Sequence, residues 1–268
     1  MGLDAMALNQ EIVHKHRNFY GIYRVVDRDG IRRLRHGTTL HGMQYLAPER
    51  RHIPMTYYHP ATPVGEVLLS PLFHFKRVGI VGLGAGSLAV YARPDQRFDF
   101  YELDPYNEYV ATRYFTFLDQ SRGKLKLIFG DARLSLAERR DTPYGLLILD
   151  AFNSDSIPVH LLTVQAMETY FRNIRTDGLL LFHISNKYMD LEPVIQANAR
   201  AMDLHALVKV LPPAKSPPDA KPCIWAAMCA DARMAEKLER DLDFQRLEGD
   251  PGTRPWTDRY SNILEVLK

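Results

Sequence analysis

Short apolar runs alternate with amphipathic stretches through most of the chain after Arg77. The runs are nearly continuous, which is typical of strands that helices cover on both faces. Between the fourth and fifth runs, apolar residues recur at helical spacing from Leu161 to Ile174, which predicts a core-facing helix. The pattern predicts five strands, at residues 78–81, 98–103, 125–129, 145–150 and 179–184.

The two ends of the chain have patterns of their own. Residues 19–26 and 31–36 are strand-like and are separated by a turn signal at residues 27–30, which predicts a hairpin. Residues 63–69 are expected to open a helix. Near the other end, strand patterns at residues 205–211 and from Cys223 onward flank a proline-rich stretch that is typical of a hairpin loop.

These patterns together predict an α/β fold. We expect a doubly wound, mostly parallel, Rossmann-type sheet of about seven strands, preceded by a small β unit. The predicted division is a small N-terminal β domain at residues 1–60 and a nucleoside-binding α/β domain at residues 61–268.

The first predicted strand runs directly into a turn in which Gly82, Gly84 and Gly86 alternate with other residues. Glycine permits unusual backbone angles and lets a ligand lie against bare peptide. A dinucleotide fingerprint needs its third glycine one step later, where this chain has Ser87. The alternate spacing instead suits S-adenosylmethionine and related nucleosides, which have no pyrophosphate, although an ordinary tight turn is an alternative.

Polar residues follow the predicted strands in order. Ligands of such sheets bind beyond the carboxyl ends of the strands, so these residues are candidates for the site. Glu102, about 20 residues after the first glycine, has the spacing of a ribose-binding acid. Asp131 is expected to accept the adenine amine, and Asp150 follows the next strand. Any one of these acids is more often a helix cap, but their joint order favours a nucleoside pocket.

The composition narrows the function classes. The chain has 268 residues, is 46% hydrophobic and carries a net charge of +2, which indicates no strong attraction to nucleic acid or membranes. Cys223 and Cys229 are predicted to be core thiols in a reducing compartment. We find no apolar run of membrane-spanning length, no signal-peptide pattern and no metal-ligand spacing, so we expect a cytoplasmic protein without a metal.

Five segments resemble the spermidine synthase (polyamine aminopropyltransferase) family. The similarity is greatest to its divergent bacterial branch, whose members are often fused to membrane spans, and it extends from about residue 18 to the end. It implies a seven-stranded methyltransferase-like domain, a small N-terminal β domain and a homodimer. The segments are residues 38–44 (TTLHGMQ), 101–105 (YELDP), 130–133 (GDAR), 149–158 (LDAFNSDSIP) and 256–260 (WTDRY).

The resemblance implies transfer of an aminopropyl group from decarboxylated S-adenosylmethionine to a polyamine acceptor, with release of methylthioadenosine. The nucleoside is then a co-substrate, and no tightly bound cofactor is expected. Asp150 would be the catalytic aspartate, and Asp155 would hold the distal charge of the amine. The remaining implied residues are Glu102 for the ribose, Asp131 and Ala132 for adenine, Gln44 for the donor, the glycines Gly82, Gly84 and Gly86, and the gate pair Tyr58 and His59.

Three positions depart from the family pattern. Ala85 stands where the family has an aspartate that binds the aminopropyl ammonium, and Pro60 replaces a glutamate after the gate pair. The stretched segment after Asp150 leaves Asn153 and Asp155 as candidates for the second acid. Each lost partner of a desolvated ammonium is worth roughly 1.5–3 kcal/mol. Because the missing acid would also repel an α-carboxylate, we hypothesise that Ala85 admits intact S-adenosylmethionine.

Two further functions are compatible with the same residues. One is another S-adenosylmethionine-dependent enzyme, either a methyltransferase or a lyase that releases methylthioadenosine without an amine. The other is a non-catalytic nucleoside-binding module, because a fold and a pocket do not guarantee chemistry. The sulfur-containing product separates the first from aminopropyl transfer, and the absence of turnover identifies the second.

Overall fold

Two β-sheets organise the chain: a four-stranded sheet near the N-terminus and an eight-stranded sheet that contains the main core. The computed structural model describes residues 11–151, 158–249 and 252–268. No helix within these ranges has both the length and the apolar character needed to cross a membrane.

The N-terminal sheet is an antiparallel meander in the order β1-β2-β3-β4. The predicted turn joins β2 to β3, where Asp29 and Gly30 both have positive φ, at 53° and 71°. Asp-Gly favours this two-residue turn because both positions need positive φ. The hairpin prediction is therefore confirmed. The strands are β1 Glu11–Asn18, β2 Gly21–Arg28, β3 Ile31–His36 and β4 Thr39–Tyr45.

The large sheet has the strand order β12-β10-β11-β9-β8-β5-β6-β7. Strands β5 to β9 pair in parallel, whereas β11 is antiparallel to both β9 and β10. Seven strands are long, as predicted, and β12 adds two residues at one edge. The strands are β5 Arg77–Val81, β6 Arg97–Glu102, β7 Lys124–Phe129, β8 Tyr144–Leu149, β9 Ile174–His183, β10 His205–Leu211, β11 Cys223–Cys229 and β12 Gln245–Arg246.

In the described parts of the chain, six α-helices connect or cover these strands. Helix α1 begins with Pro63, whose fixed φ suits the first helical turn, and the side chain of Thr62 caps it. Helix α4 begins later than predicted, because a 3-10 turn precedes it and Thr163 caps it by accepting a hydrogen bond from the Ala166 N–H. The helices are α1 Pro63–Leu69, α2 Tyr106–Tyr114, α3 Ala132–Glu138, α4 Val164–Arg172, α5 Glu192–Ala201 and α6 Ala232–Leu242.

The element behind the glycine turn is a short 3-10 helix, Ser87–Tyr91, so the expectation of a helix there is correct in position but not in type. Pro94 limits its length, because a residue before proline disfavours the α conformation. The prediction missed this local effect of the proline.

Both faces of the central strands of the large sheet are buried, and every residue of β8 is buried, whereas the edge strand β7 exposes Lys124, Lys126 and Phe129. The small sheet packs onto the same body through Val25 and Leu34, which belong to one buried cluster with Ala85 and Val110. The hairpin side of the small sheet is therefore held over the glycine turn.

Cys223 and Cys229 are free and buried in β11, and burial raises the pKa of each thiol to about 12.

Candidate active site

A cavity of about 280 Å³ lies where the carboxyl ends of β5, β6 and β8 face the N-terminal sheet. We call it the first cavity. The strand-end residues that were predicted to form one pocket lie together here. This follows because parallel strands have their carboxyl ends at the same edge of the sheet. The predicted residues that line it are Tyr58, Gly82, Gly84, Glu102, Asp131, Ala132 and Asp150.

Glu102 is held rigidly at the end of β6. One carboxylate oxygen accepts hydrogen bonds from the Leu83 N–H and from Asn107 Nδ2, both at 3.0 Å. The other oxygen accepts one from the Asp104 N–H, also at 3.0 Å. Burial raises the pKa of the Glu102 carboxyl. The result is a fixed acceptor group on the cavity wall, which suits a pair of vicinal hydroxyls.

The glycine turn brings three chain segments together. Gly82 and Gly84 have positive φ, at 100° and 53°. A Cβ atom on Gly82 would lie 2.5 Å from the carbonyl oxygen of Asp150, and one on Gly84 would lie 2.6 Å from that of His41. These glycines are therefore needed for the approach of β8 and β4. Gly86, also at positive φ, is the N-cap residue of the 3-10 helix and is outside the cavity lining.

Replacing Gly82 with alanine should therefore destabilise the fold more than the same change at Gly30. Both positions have positive φ, for which a Cβ costs about 1–2 kcal/mol, but the space around Gly30 is open. Gly82→Ala adds the clash with Asp150. Urea denaturation of the two variants measures this difference in the free energy of unfolding, and equal losses would show that the contact relaxes without cost.

Asp131 combines two roles at the start of α3. One oxygen caps the helix by accepting from the Leu134 N–H at 2.9 Å. The other lies 3.5 Å from His160 Nε2, and both residues line the first cavity. Asp131 can therefore cap α3 and line the first cavity at the same time.

A second cavity, of about 500 Å³, adjoins the first. Its walls come from residues 185–187 after β9 and from both arms of the β10–β11 hairpin. His41, Tyr58 and Asp150 line both cavities. Asp150 therefore stands at the junction of two spaces that are otherwise bounded by different residues.

The Asp150 carboxylate is held from two sides. The Tyr58 hydroxyl donates to one oxygen at 2.6 Å, and His183 Nδ1 lies 2.7 Å from the other. The side chains of Asp150 and His183 are only 8% and 3% exposed. Burial, followed by the negative charge of Asp150, raises the pKa of Tyr58 well above its usual value, so Tyr58 stays a proton donor.

His183 is the site residue that the sequence reasoning missed. Its ring stacks on Trp225 at 4.6 Å and packs against Tyr57 at 4.8 Å. It is the last residue of β9, and the strand-end rule that selected Glu102 and Asp150 would have selected it too.

Among the described residues, no three histidine, cysteine or acidic side chains are grouped so as to hold a metal ion.

The structure does not support two of the predicted donor contacts. The Gln44 amide bonds to Thr116 and to the carbonyl oxygen of Arg51, which turns it away from both cavities. His59 accepts a hydrogen bond from the Ala61 N–H in the turn before α1 and is outside both described linings. Burial lowers the pKa of His59. Asn153 and Asp155 lie outside the described residues.

One curated relative shares sequence with this chain, whereas no family model matches it. A polyamine aminopropyltransferase from Vibrio vulnificus (strain CMCP6) is 29% identical over 181 residues. The alignment covers 63% of this chain and 58% of the relative, so the chain spans less than two thirds of that protein's length.

Solved structures share the fold over most of the chain. A probable spermidine synthase from Corynebacterium glutamicum ATCC 13032 is 16% identical with a TM-score of 0.67, covering 94% of this chain and 99% of that one. A spermidine synthase from Thermotoga maritima is 13% identical with a TM-score of 0.56, covering 90% and 81%. The shared fold and the sequence relative together confirm the resemblance to the spermidine synthase family.

Proposed function

We propose that the protein is a spermidine synthase-like aminopropyltransferase. It would move an aminopropyl group from decarboxylated S-adenosylmethionine to an amine and release methylthioadenosine. The observation that carries this proposal is the position of Asp150, between a nucleoside-sized cavity and a second cavity open to another substrate. The aminopropyltransferase from Vibrio vulnificus supports it. A homodimer and a cytoplasmic location stay predictions.

The first cavity would hold the donor by its nucleoside. Glu102 offers its carboxylate to the ribose, and Asp131 with Ala132 borders the space for adenine. The sulfonium would then face the junction with the second cavity. No resident cofactor is needed for this chemistry, because the leaving group is already positively charged sulfur.

Asp150 would prepare the attacking amine, which enters from the second cavity. A primary ammonium has a pKa near that of lysine, about 10.4, and has no lone pair for attack while protonated. The carboxylate binds the cation and accepts its proton, while Tyr58 and His183 hold the carboxylate in place. The nitrogen lone pair then forms a C–N bond as the C–S bond breaks. The C–S electron pair returns to sulfur, which leaves as a neutral thioether.

A second candidate donor is intact S-adenosylmethionine. Ala85 is 1% exposed, and its methyl group packs closely against Gly42. A Cβ atom added to Gly42 would clash with this methyl group. Position 85 therefore has no room for a carboxylate. On the side of the small sheet the first cavity is lined by Tyr20, Tyr23, Leu34, His36 and His41, none of which is an acid, and Ala85 itself is outside the described lining. These side chains would repel an α-carboxylate less than an acid would. This favours the hypothesis that intact S-adenosylmethionine can bind.

Product analysis tests these assignments directly. The protein is incubated with each donor and a panel of primary amines, and the sulfur-containing product is identified by mass spectrometry. We expect methylthioadenosine, formed only when an amine is present. S-adenosylhomocysteine would indicate a methyltransferase, methylthioadenosine without an amine would indicate a lyase, and binding without turnover would indicate a nucleoside-binding module. A clear preference for the decarboxylated donor would contradict the use of intact S-adenosylmethionine.

A further inference from the structure

Asn107 is a polar residue on the buried face of α2. The buried residues of this helix are Asn107, Val110 and Ala111, at the spacing of a stripe that packs against the core. Valine and alanine suit such a stripe, whereas the amide of an asparagine loses its contact with water there. Asn107 is 4% exposed and lines the first cavity beside Glu102. The amide must therefore find its hydrogen bonds in the protein or in a ligand.

The two hydrogens of the Asn107 amide are used within the protein. Nδ2 donates to the carbonyl oxygen of Gly84 at 3.2 Å and to Glu102 Oε2 at 3.0 Å. Because both partners are acceptors, the reverse orientation of the amide would set Oδ1 against two other oxygens. Oδ1 itself is buried, and no described residue donates a hydrogen bond to it. It is thus an acceptor in the cavity wall that a ligand can satisfy.

The neighbouring carboxylate of Glu102 has little acceptor capacity left. A carboxylate has about four lone-pair sites, and three of them are occupied here, two on Oε2 and one on Oε1. The donors are the Leu83 N–H, the Asp104 N–H and Asn107 Nδ2. About one site, on Oε1, therefore remains, whereas a vicinal diol brings two hydroxyl groups. The second hydroxyl needs another acceptor close to Glu102, and Oδ1 belongs to the amide that bonds to this carboxylate.

We propose that Glu102 and Asn107 bind the ribose of the donor together, with one hydroxyl donating to Glu102 Oε1 and the other to Asn107 Oδ1. This inference rests on the proposed binding of an S-adenosylmethionine-type nucleoside in the first cavity. The start of α2 is fixed by the protein itself. The Asn107 N–H donates to the carbonyl oxygen of Asp104 at 2.9 Å, and the Tyr23 hydroxyl donates to the Asp104 carboxylate at 2.7 Å. The two acceptors therefore select a nucleoside with both ribose hydroxyls over either deoxy form.

Methylthioadenosine and its 2′-deoxy and 3′-deoxy analogues test the proposal. Titration calorimetry measures the dissociation constant of each with the parent protein and with Asn107→Leu, which keeps the size of the side chain and removes its amide. We expect the parent to bind each deoxy analogue about three- to tenfold more weakly than methylthioadenosine, the usual contribution of one hydrogen bond. In Asn107→Leu one of these two factors should fall to about one, because the acceptor of that hydroxyl is gone, and the other should persist.

Asn198→Leu is the matched control. Asn198 is also a buried asparagine on a helix, but its amide bonds to the backbone of Leu162 and Trp256, and it is outside the lining of the first cavity. This variant should keep both factors at their parent values. Circular dichroism checks that each variant is folded, and Asn107→Ala is a second variant that cannot clash with its surroundings.

Three results would overturn the proposal. If both factors persist without the Asn107 amide, no hydroxyl donates to it. If both vanish, Asn107 acts only by holding Glu102 in place. If the parent binds all three nucleosides equally, neither hydroxyl is recognised. Failure of the parent to bind methylthioadenosine at all would instead contradict the proposed function.

Discussion

Asp150→Asn is expected to slow methylthioadenosine release by a factor of about 100 to 10,000, the usual contribution of a general base. The amide keeps the size of the carboxylate and can still accept a hydrogen bond from Tyr58. It cannot take a proton from the incoming ammonium, nor attract its charge. Steady-state rates at saturating donor and amine measure the loss.

The control is the same substitution at Asp177, an exposed acid in the other half of β9 that pairs with Arg175. Asp177→Asn should leave the rate unchanged. Asp150→Asn should still bind methylthioadenosine with nearly the parent affinity, because Glu102 and the glycine turn are intact. Turnover by Asp150→Asn at the parent rate would remove Asp150 from the mechanism.

Glu102→Gln is expected to weaken methylthioadenosine binding by roughly tenfold or more. The carboxylate accepts three hydrogen bonds from donors, two of them backbone N–H groups. The glutamine amide would turn an NH₂ group toward at least one of them, and an unsatisfied buried donor costs about 1–3 kcal/mol. Titration calorimetry measures the affinity, and unchanged binding would show that the ribose is held elsewhere.

Acidification should partly mimic this substitution. Burial raises the pKa of Glu102, so its carboxylate is protonated at a higher pH than an exposed glutamate. Affinity that depends on the ionised form is complete above the raised pKa and is lost as the pH falls through it. The Glu102→Gln protein should lack this component of the pH dependence.

The centre of the large sheet could be predicted from the sequence because its central strands are buried on both faces. A strand such as Tyr144–Leu149 is continuously apolar, and few other structures give that pattern. The position of the glycine turn was predicted correctly because the glycines directly follow the apolar run of β5. The short 3-10 helix behind it and the late start of α4 depend on Pro94 and Thr163, which are local effects that hydrophobic periodicity does not register.

The candidate site was predictable where chain topology alone positions the residue. Glu102, Asp131 and Asp150 each follow a parallel strand, so the sheet brings them together whatever the surrounding contacts are. Gln44 and His59 depend on how the small sheet and α1 pack, and similarity of residue type does not determine the direction of a side chain. Their assignment came from the family resemblance, and their roles toward the donor stay predictions.

The separate walls of the two cavities have an evolutionary consequence. The first cavity is built mainly from the glycine turn and neighbouring strand ends. The second cavity is bounded by the β10–β11 hairpin and the loop after β9. In the proposed reaction, mutations in the hairpin and the loop would leave the contacts to the nucleoside donor unaltered. For the proposed function, this architecture would allow the nucleophile to change by substitutions in one cavity while the electrophile bound in the other stays the same.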